Sequence, residues 1–319
     1  MVRTMTDILT ITLNPALDVS TSVGKVVPGP KLRCDEPRYD PGGGGINVSR
    51  AIRRLGGNSR AFAALGGETG AAFKALLDGE DITVEPFEVT GNTRQAFAVN
   101  ETSTGQQFRF QLPCPAWPGE QSDRLIEALK PHLIKGCIAV LSGSTPTGVS
   151  ADIAATINRL AVEHGARLIL DTSGAALTAA ATNPGPPFFL LRMDGQEASE
   201  VSGRRFETPG DLANYGSELI AKGAAERLVM SMGAVGTAGV SAGERFFCRP
   251  PKIKPLSAVG AGDSMVAAIA LELSRGGSFR DAVRHGVAAA GSAVLTPATE
   301  LCSKATADEI LGRVVTEEV

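Results

Sequence analysis

The chain has 319 residues, 43% of them hydrophobic, and its 31 Lys and Arg against 34 Asp and Glu leave a net charge of −3. That length suits one large α/β domain or two ordinary ones, and the apolar share is enough for a sizeable core. The slightly acidic balance, with basic residues scattered apart from pairs such as Arg53-Arg54 and Arg204-Arg205, excludes a broad nucleic-acid-binding face. The cysteines (Cys34, Cys114, Cys137, Cys248 and Cys302) lie far apart, and none has the close spacing of a zinc or redox motif. The three histidines are also far apart, which argues against a histidine-rich metal site. The first apolar run, at residues 8–13, is too short and too β-branched for a signal peptide, and no run of about 18 apolar residues follows. A reduced, cytoplasmic protein with no membrane partner is expected.

In chain order, residues 8–13 read as a strand. From 18 to 39 the chain is rich in Pro and Gly and poor in helix signals. Residues 46–55 read as a helix, with Ile46, Ala51, Ile52 and Leu55 on or near one face. Runs 93–100 and 106–112 alternate in part, through Gln95, Phe97 and Val99 and then Phe108, Phe110 and Leu112, as a hairpin outside the main sheet would. Residues 137–141 read as a buried strand, 150–164 as a helix after a Gly/Pro turn, 167–171 as a strand followed by a helix, and 228–232 as a further strand. This alternation predicts a mostly parallel sheet covered by helices, with ligands at the carboxyl ends of its strands. Stretches 18–40 and 91–113 are assigned to a small β lid. No linker is long enough to separate independent domains, so 1–319 reads as one.

Three glycine-rich segments carry the chemistry. In Pro41-Gly42-Gly43-Gly44-Gly45-Ile46-Asn47, successive glycines expose backbone N–H groups at a helix start, which favours polar or anionic ligands; a flexible turn is the plainer reading. Asn47, one turn into that helix, is placed to hydrogen-bond sugar hydroxyls. In Gly260-Ala261-Gly262-Asp263, two glycines precede a buried helix and the carboxylate lies in its first turn. That carboxylate either favours the helix dipole or, beside amides suited to a transferring phosphoryl group, acts as a general base. The segment Ser231-Met232-Gly233-Ala234-Val235-Gly236-Thr237 is a hairpin turn or a floor under a nucleotide. The P-loop pattern is absent, and G-x-G-x-x-G does not occur between a strand and a helix. Gly239-Val240-Ser241-Ala242-Gly243 fits the hydrolase elbow, but a strand-like run follows it where the elbow needs a helix.

Together these segments resemble the ribokinase-like sugar kinases, the phosphofructokinase-B family, over nearly the whole chain. Leu13-Asn14-Pro15-Ala16-Leu17-Asp18 looks like the family's sugar-binding opening. Residues 42–47 look like its first signature, and Ala258-Val259-Gly260-Ala261-Gly262-Asp263 like its second. Lys31-Leu32-Arg33-Cys34, Thr93-Arg94-Gln95, Ser142-Gly143-Ser144 and Leu301-Cys302-Ser303 match its 6-phosphofructokinase branch. The resemblance implies a three-layer α/β/α sandwich with a mostly parallel central sheet and a small β-sheet lid, often clasped in a homodimer. It implies transfer of the ATP γ-phosphoryl group to a phosphorylated ketohexose, fructose 6-phosphate at O1, with fructose 1-phosphate or tagatose 6-phosphate as alternative acceptors.

Roles are implied residue by residue. Asp18, the backbone of Gly43, Gly44 and Gly45, and Asn47 would hold sugar hydroxyls. Arg94, Ser144, and Lys31 or Arg33 would hold the sugar's phosphate, and Ser231, Gly233 and Gly236 the nucleotide. Asp263 would be the base, with the amides of Gly260, Ala261 and Gly262 as the anion hole. Glu197 with Asp194 would serve Mg²⁺, and Ser257 and Val259 match a monovalent-cation (K⁺) loop. The pattern is broken where relatives have Lys-Pro-Asn-x-x-Glu and this chain has Arg192-Met193-Asp194-Gly195-Gln196-Glu197. There, Arg192 keeps the charge of lysine on the nucleotide side but not its geometry. Ala258 replaces threonine, and Glu300 stands in place of an arginine near the cation loop. The altered Arg192-Met193-Asp194 segment motivates a second class of reading, a non-catalytic sugar-phosphate or nucleotide sensor on a kinase scaffold.

Overall fold

A computed structural model of the chain describes residues 6–182, 185–297 and 300–319. Its larger sheet runs, in spatial order, β14 (Val315–Glu318), β13 (Arg245–Arg249), β12 (Thr237–Ser241), β11 (Arg227–Ser231), β10 (Leu190–Asp194), β9 (Arg167–Asp171), β8 (Ile138–Ser142), β1 (Ile8–Thr12), β4 (Arg60–Leu65) and β5 (Thr83–Glu88). From β5 to β11 every pair is parallel; β12, β13 and β14 then add on antiparallel. A second sheet stands apart, in the order β3 (Arg38–Gly42), β2 (Ala16–Val23), β6 (Arg94–Glu101), β7 (Gln107–Gln111).

Central strands buried on both faces need no polar alternation, and β1 is buried at all five residues. Its side chains divide between two cores. Leu9 and Ile11 enter one core with residues of α3 (Gly119–Leu129), α4 (Ile153–Glu163), α5 (Gly174–Thr182), α6 (Gly195–Ser202) and α7 (Pro209–Ala221). Ile8 enters the other with residues of α1 (Gly44–Arg54), α8 (Ala261–Ser274), α9 (Phe279–Ala293) and α10 (Lys304–Leu311). A third cluster joins α2 (Gly67–Gly79) to β4 through Phe73, Leu77, Ala61 and Ala63. The result is the layered sandwich expected. Helix α8 is apolar all round because it lies between α1 and α9, and every residue from Met265 to Leu271 is buried.

Some boundaries differ from those the sequence suggests. Helix α1 begins at Gly44, inside the glycine run, because Gly43 turns the chain with φ +116°, a conformation L side chains rarely adopt. Helix α4 begins at Ile153, since the turn before it extends past Ser150. The small sheet opens at Ala16 and continues through Gly42, while residues 24–37 carry no strand.

Candidate active site

Thr12, Gly44, Ser142, Asp171, Asp194 and Ser231 mark one end of the large sheet, where the parallel strands finish. Helices α1 and α8 both start there, and neither has a side-chain cap. Helices α2, α3 and α4 also lack a side-chain cap, whereas α6, α7, α9 and α10 are capped by Asp194, Thr208, Ser278 and Ser303. Uncapped first turns leave backbone N–H groups free for a ligand and present the positive end of the dipole.

The two starts are tied together by one hydrogen bond: Asn47 Nδ2 donates to Asp263 Oδ2 at 2.9 Å. Burial pushes the Asp263 carboxyl up to about 7, and the negative charge of Asp171 adds to this, while the Asn47 bond and Arg192 pull the other way. A carboxylate so poised shifts between acid and base near neutrality, as a general base must. Between these helix starts and the small sheet lies an open cleft. Asp18, Asp40, Phe97 and Arg109 line it from the sheet, and Asn47, Arg50, Val259 and Gly260 from the body. Asp18 and Asp40 face each other across β2 and β3. Burial lifts the Asp18 carboxyl to about 6; Arg94 opposes this, Asp40 adds to it, and Arg109 and Arg50 oppose it. Arg50, only 3% exposed, forks onto Glu80 at 2.7–3.0 Å and lies 3.6 Å from Asp40.

At the cleft's flank, Arg94 Nε donates to Asn14 Oδ1 at 3.0 Å, and Asn14 Nδ2 donates to Ser144 Oγ at 3.0 Å. Asn14 thus fixes a cation and a hydroxyl side by side, a pairing suited to an anion. On the other flank, Arg192 Nη1 reaches Asp171 at 3.1 Å and lies 3.7 Å from Glu197, while Nη2 donates to Ser231 Oγ at 3.3 Å. Asp171 also accepts from Ser142 Oγ at 3.0 Å. The segment 231–237 is a hairpin turn between β11 and β12, with Gly233 at φ +55° and Gly236 at φ +141°, and it opens at this same strand end.

Not every expected residue joins the cleft. Lys31 and Arg33 are exposed on the connection from β2 to β3 and do not line it. Gly44 and Gly45 are closed to a ligand from the side their missing Cβ would occupy. A Cβ on Gly45 would stand 2.5 Å from Thr12 Oγ1 and 2.6 Å from the Ile11 carbonyl, and one on Gly44 would meet Ser142 and Gly143. These two glycines let α1 seat directly on β1 and β8; of the four, Gly43 is the one whose backbone conformation demands glycine. Helix propensity alone favours Gly45→Ala by about 1 kcal/mol, whereas forced overpacking costs roughly 1–3 kcal/mol. Denaturant unfolding of Gly45→Ala should therefore show lost stability, and a raised midpoint rejects the packing account. Ser257 Oγ accepts from the Val259 amide at 3.1 Å, a tight loop just ahead of Gly260. Asp194 Oδ1 and Glu197 Oε2 close the α6 capping box reciprocally, at 2.9 and 2.7 Å. Ser241 sits where β12 turns back antiparallel into β13, so it has no elbow geometry.

Asp171, Asp40 and Arg109 lie among these groups although no motif covers them, and Asn14, inside the sugar-binding opening, is given no role of its own by that motif. Of the three without a motif, Asp171 carries a signal, being the last residue of a strand in a parallel sheet.

The pfkB family carbohydrate kinase model matches residues 7–306. The ATP-dependent 6-phosphofructokinase isozyme 2 of Mycobacterium tuberculosis (strain H37Rv) is 40% identical over 299 residues, covering 93% of this chain and 86% of its own. That of Escherichia coli K12 is 39% identical over 299 residues, 94% and 96% of the two chains. A 1-phosphofructokinase of Xanthomonas campestris is 34% identical over 266 residues, 83% of each. Among solved structures, Escherichia coli phosphofructokinase-2 in complex with potassium superposes with a TM-score of 0.91 at 38% identity, covering 97% of this chain and 99% of that one. The fructose-6-phosphate complex of the same enzyme gives 0.88 at 37% identity, with the same coverage.

Proposed function

The chain belongs to the pfkB family of carbohydrate kinases, and on that premise we propose that it transfers the γ-phosphoryl group of ATP to the 1-hydroxyl of fructose 6-phosphate. The observation that carries the reading is the Asn47–Asp263 bond, which holds a carboxyl of pKa about 7 in front of two uncapped helix starts. Asp263 takes the proton of the hydroxyl as its oxygen bonds to the γ-phosphorus. The bond from that phosphorus to the bridging oxygen breaks, and ADP leaves with the electron pair. Charge on the transferring group is met by the amides of Gly260, Ala261 and Gly262, positioning and charge being most of what phosphoryl transfer asks of a protein. Asp18 and Asn47 orient sugar hydroxyls. Arg94 and Ser144 hold the 6-phosphate, and the turn from Ser231 to Gly236 supports the nucleotide.

A magnesium ion carried on the ATP phosphates would neutralise their charge. One oxygen of Glu197 and one of Asp194 are already committed to the α6 cap, so this pair suits the water shell of that ion rather than direct ligation. A potassium ion is proposed at the Ser257 and Val259 loop, supported by similarity to the potassium complex. A homodimer through the small sheet is supported by the exposed Tyr39 and Phe110 on it and Leu112 just past its last strand. It would also give the exposed Lys31 and Arg33 a partner's cleft to serve. No helix of the described residues is long and apolar enough to cross a membrane. A cytoplasmic location is part of the proposal, as suits a kinase of dissolved ATP and sugar phosphate.

The likeness to 1-phosphofructokinases keeps fructose 1-phosphate as a second acceptor. A coupled ADP-release assay over fructose 6-phosphate, fructose 1-phosphate, tagatose 6-phosphate, ribose and adenosine should give its highest kcat/KM with the first. Release with none of them would leave the sensor reading in place of the enzyme.

A further inference from the structure

We propose that Arg192 occupies, with a fixed charge, the place on the large sheet where a protein-held metal ion would sit, so that the site accepts only the divalent cation arriving on ATP. This rests on the kinase reading and goes beyond it. The guanidinium is spread across one spot by four contacts: Asp171 Oδ1 at 3.1 Å, Ser231 Oγ at 3.3 Å, Glu197 Oε2 at 3.7 Å, and the first turn of α8. A Cβ built on Gly262 would lie 3.3–3.4 Å from Nη2, Cζ and Nη1, so the flat face of Arg192 is laid against the turn that offers its amides to the phosphoryl group. Its side chain is 13% exposed, and Nε is buried with no hydrogen-bond partner among the described residues.

The carboxylates around it are engaged. Asp171 receives Arg192 on one oxygen and Ser142 on the other; Asp194 and Glu197 receive each other's amides in the cap. Among the described residues no group of three or more His, Cys, Asp or Glu side chains is disposed to hold a metal, so direct ligation by the chain does not fit this site while the guanidinium holds Asp171 and faces Glu197; its removal frees Asp171 Oδ1 and that face of Glu197 for an ion and its waters. A dication within reach of Glu197 and Asp171 would also meet the guanidinium at close range in a mostly buried setting, where repulsion is strong. The planar fork matters: one ammonium cannot keep Asp171, Ser231 and Glu197 in three fixed directions. The Arg192-Met193-Asp194 departure from Lys-Pro-Asn is thus a change in how charge is supplied, with Asp194 capping α6.

The test titrates Mn²⁺ into the nucleotide-free protein and follows free Mn²⁺ by electron paramagnetic resonance. The native chain should leave the sub-millimolar signal undiminished, and so should Arg192→Lys, which keeps the charge. Arg192→Ala should remove one ion per chain. Arg192→Gln, which keeps a donor for Asp171, should do the same should the alanine variant fail to fold. In steady state, native turnover should be flat as free Mg²⁺ rises above the ATP concentration. Arg192→Gln should lose roughly 10²-fold in kcat at equal Mg²⁺ and ATP, the scale of a lost charge-stabilising donor, and regain part of it with free Mg²⁺. Mn²⁺ bound by the native chain, or no gain of binding in the folded uncharged variants, overturns the proposal. The Mn²⁺ titration needs no acceptor, so an empty acceptor panel sinks the kinase reading without touching this result.

Discussion

Asp263→Asn lowers kcat by roughly 10²–10⁴-fold, the range of a lost general base, and leaves KM for ATP close to native. The expectation follows from where the carboxylate is held. Asn47 points one oxygen, α8 fixes the backbone, and burial with the nearby charge of Asp171 raises the pKa to about 7. The native pH profile should lose kcat as pH falls through about 7, where Asp263 takes a proton and can no longer accept one; the variant should lack that limb. Stability moves the other way. The folded pKa lies above the unfolded 3.8, so the protonated form is favoured by folding. That contribution is complete below about pH 4 and lost as pH rises through 7. At pH 8 the ionised Asp263 therefore burdens the fold, and Asn in its place should stabilise the chain by on the order of 1–4 kcal/mol, the worth of so raised a pKa after partial exposure is allowed for. Near-native turnover removes Asp263 from the chemistry. A lower melting temperature at pH 8 rejects the buried-charge account while leaving the chemistry open.

Arg94→Ala raises KM for fructose 6-phosphate by roughly 10–100-fold, the loss of a hydrogen-bonded charge worth about 1.5–3 kcal/mol, with KM for ATP little changed. Arg94 is held by its Nε through Asn14, which leaves the terminal nitrogens for the ligand, and Asn14 in turn holds Ser144. The shape of that chain makes Arg94→Lys a partial rescue at best, since an ammonium cannot bind Asn14 and fork onto a phosphate together. Steady-state kinetics with each substrate varied in turn decide it. Equal effects on both KM values take Arg94 out of the sugar-phosphate site.

The parts of the site written as contiguous chain are legible in the sequence alone. Glycines 42–45, and Gly260 and Gly262, announce themselves because a sharp turn into a helix needs glycine locally. The apolar run after Asp263 marks α8 as buried because its neighbours enclose it on every side. The parallel sheet is legible for the same local reason, through short runs such as 167–171. What escapes is what only folding assembles. Asp171 looks like any strand end until β9 lies beside β10 and Arg192 turns toward it. Asn14 connects Arg94 and Ser144 across separations of 80 and 130 residues, which no spacing rule reaches. Asp40 and Asp18 become a pair only through the register of β2 and β3. The glycine run points to a backbone open to ligand at Gly44 and Gly45, and only folding shows that their missing side chains also make room for β1 and β8. Asp194 reads as a metal-side carboxylate, and only folding shows that one of its oxygens also caps α6.

The outer strand β14 has a bearing on how copies of this chain avoid one another. Its partner β13 carries Phe246, Phe247 and Cys248, all fully buried, and without β14 its backbone would be an open edge rich in β-forming residues. Strand β14 itself is Val-Thr-Glu-Glu, and its acidic residues pair with Arg249 and Arg280. It closes the sheet with a strand whose own free edge is acidic and short, a poor template for a stranger. The stability of those two ion pairs counts for little. Their use is colloidal: they keep a sheet of ten strands from becoming the start of a longer one.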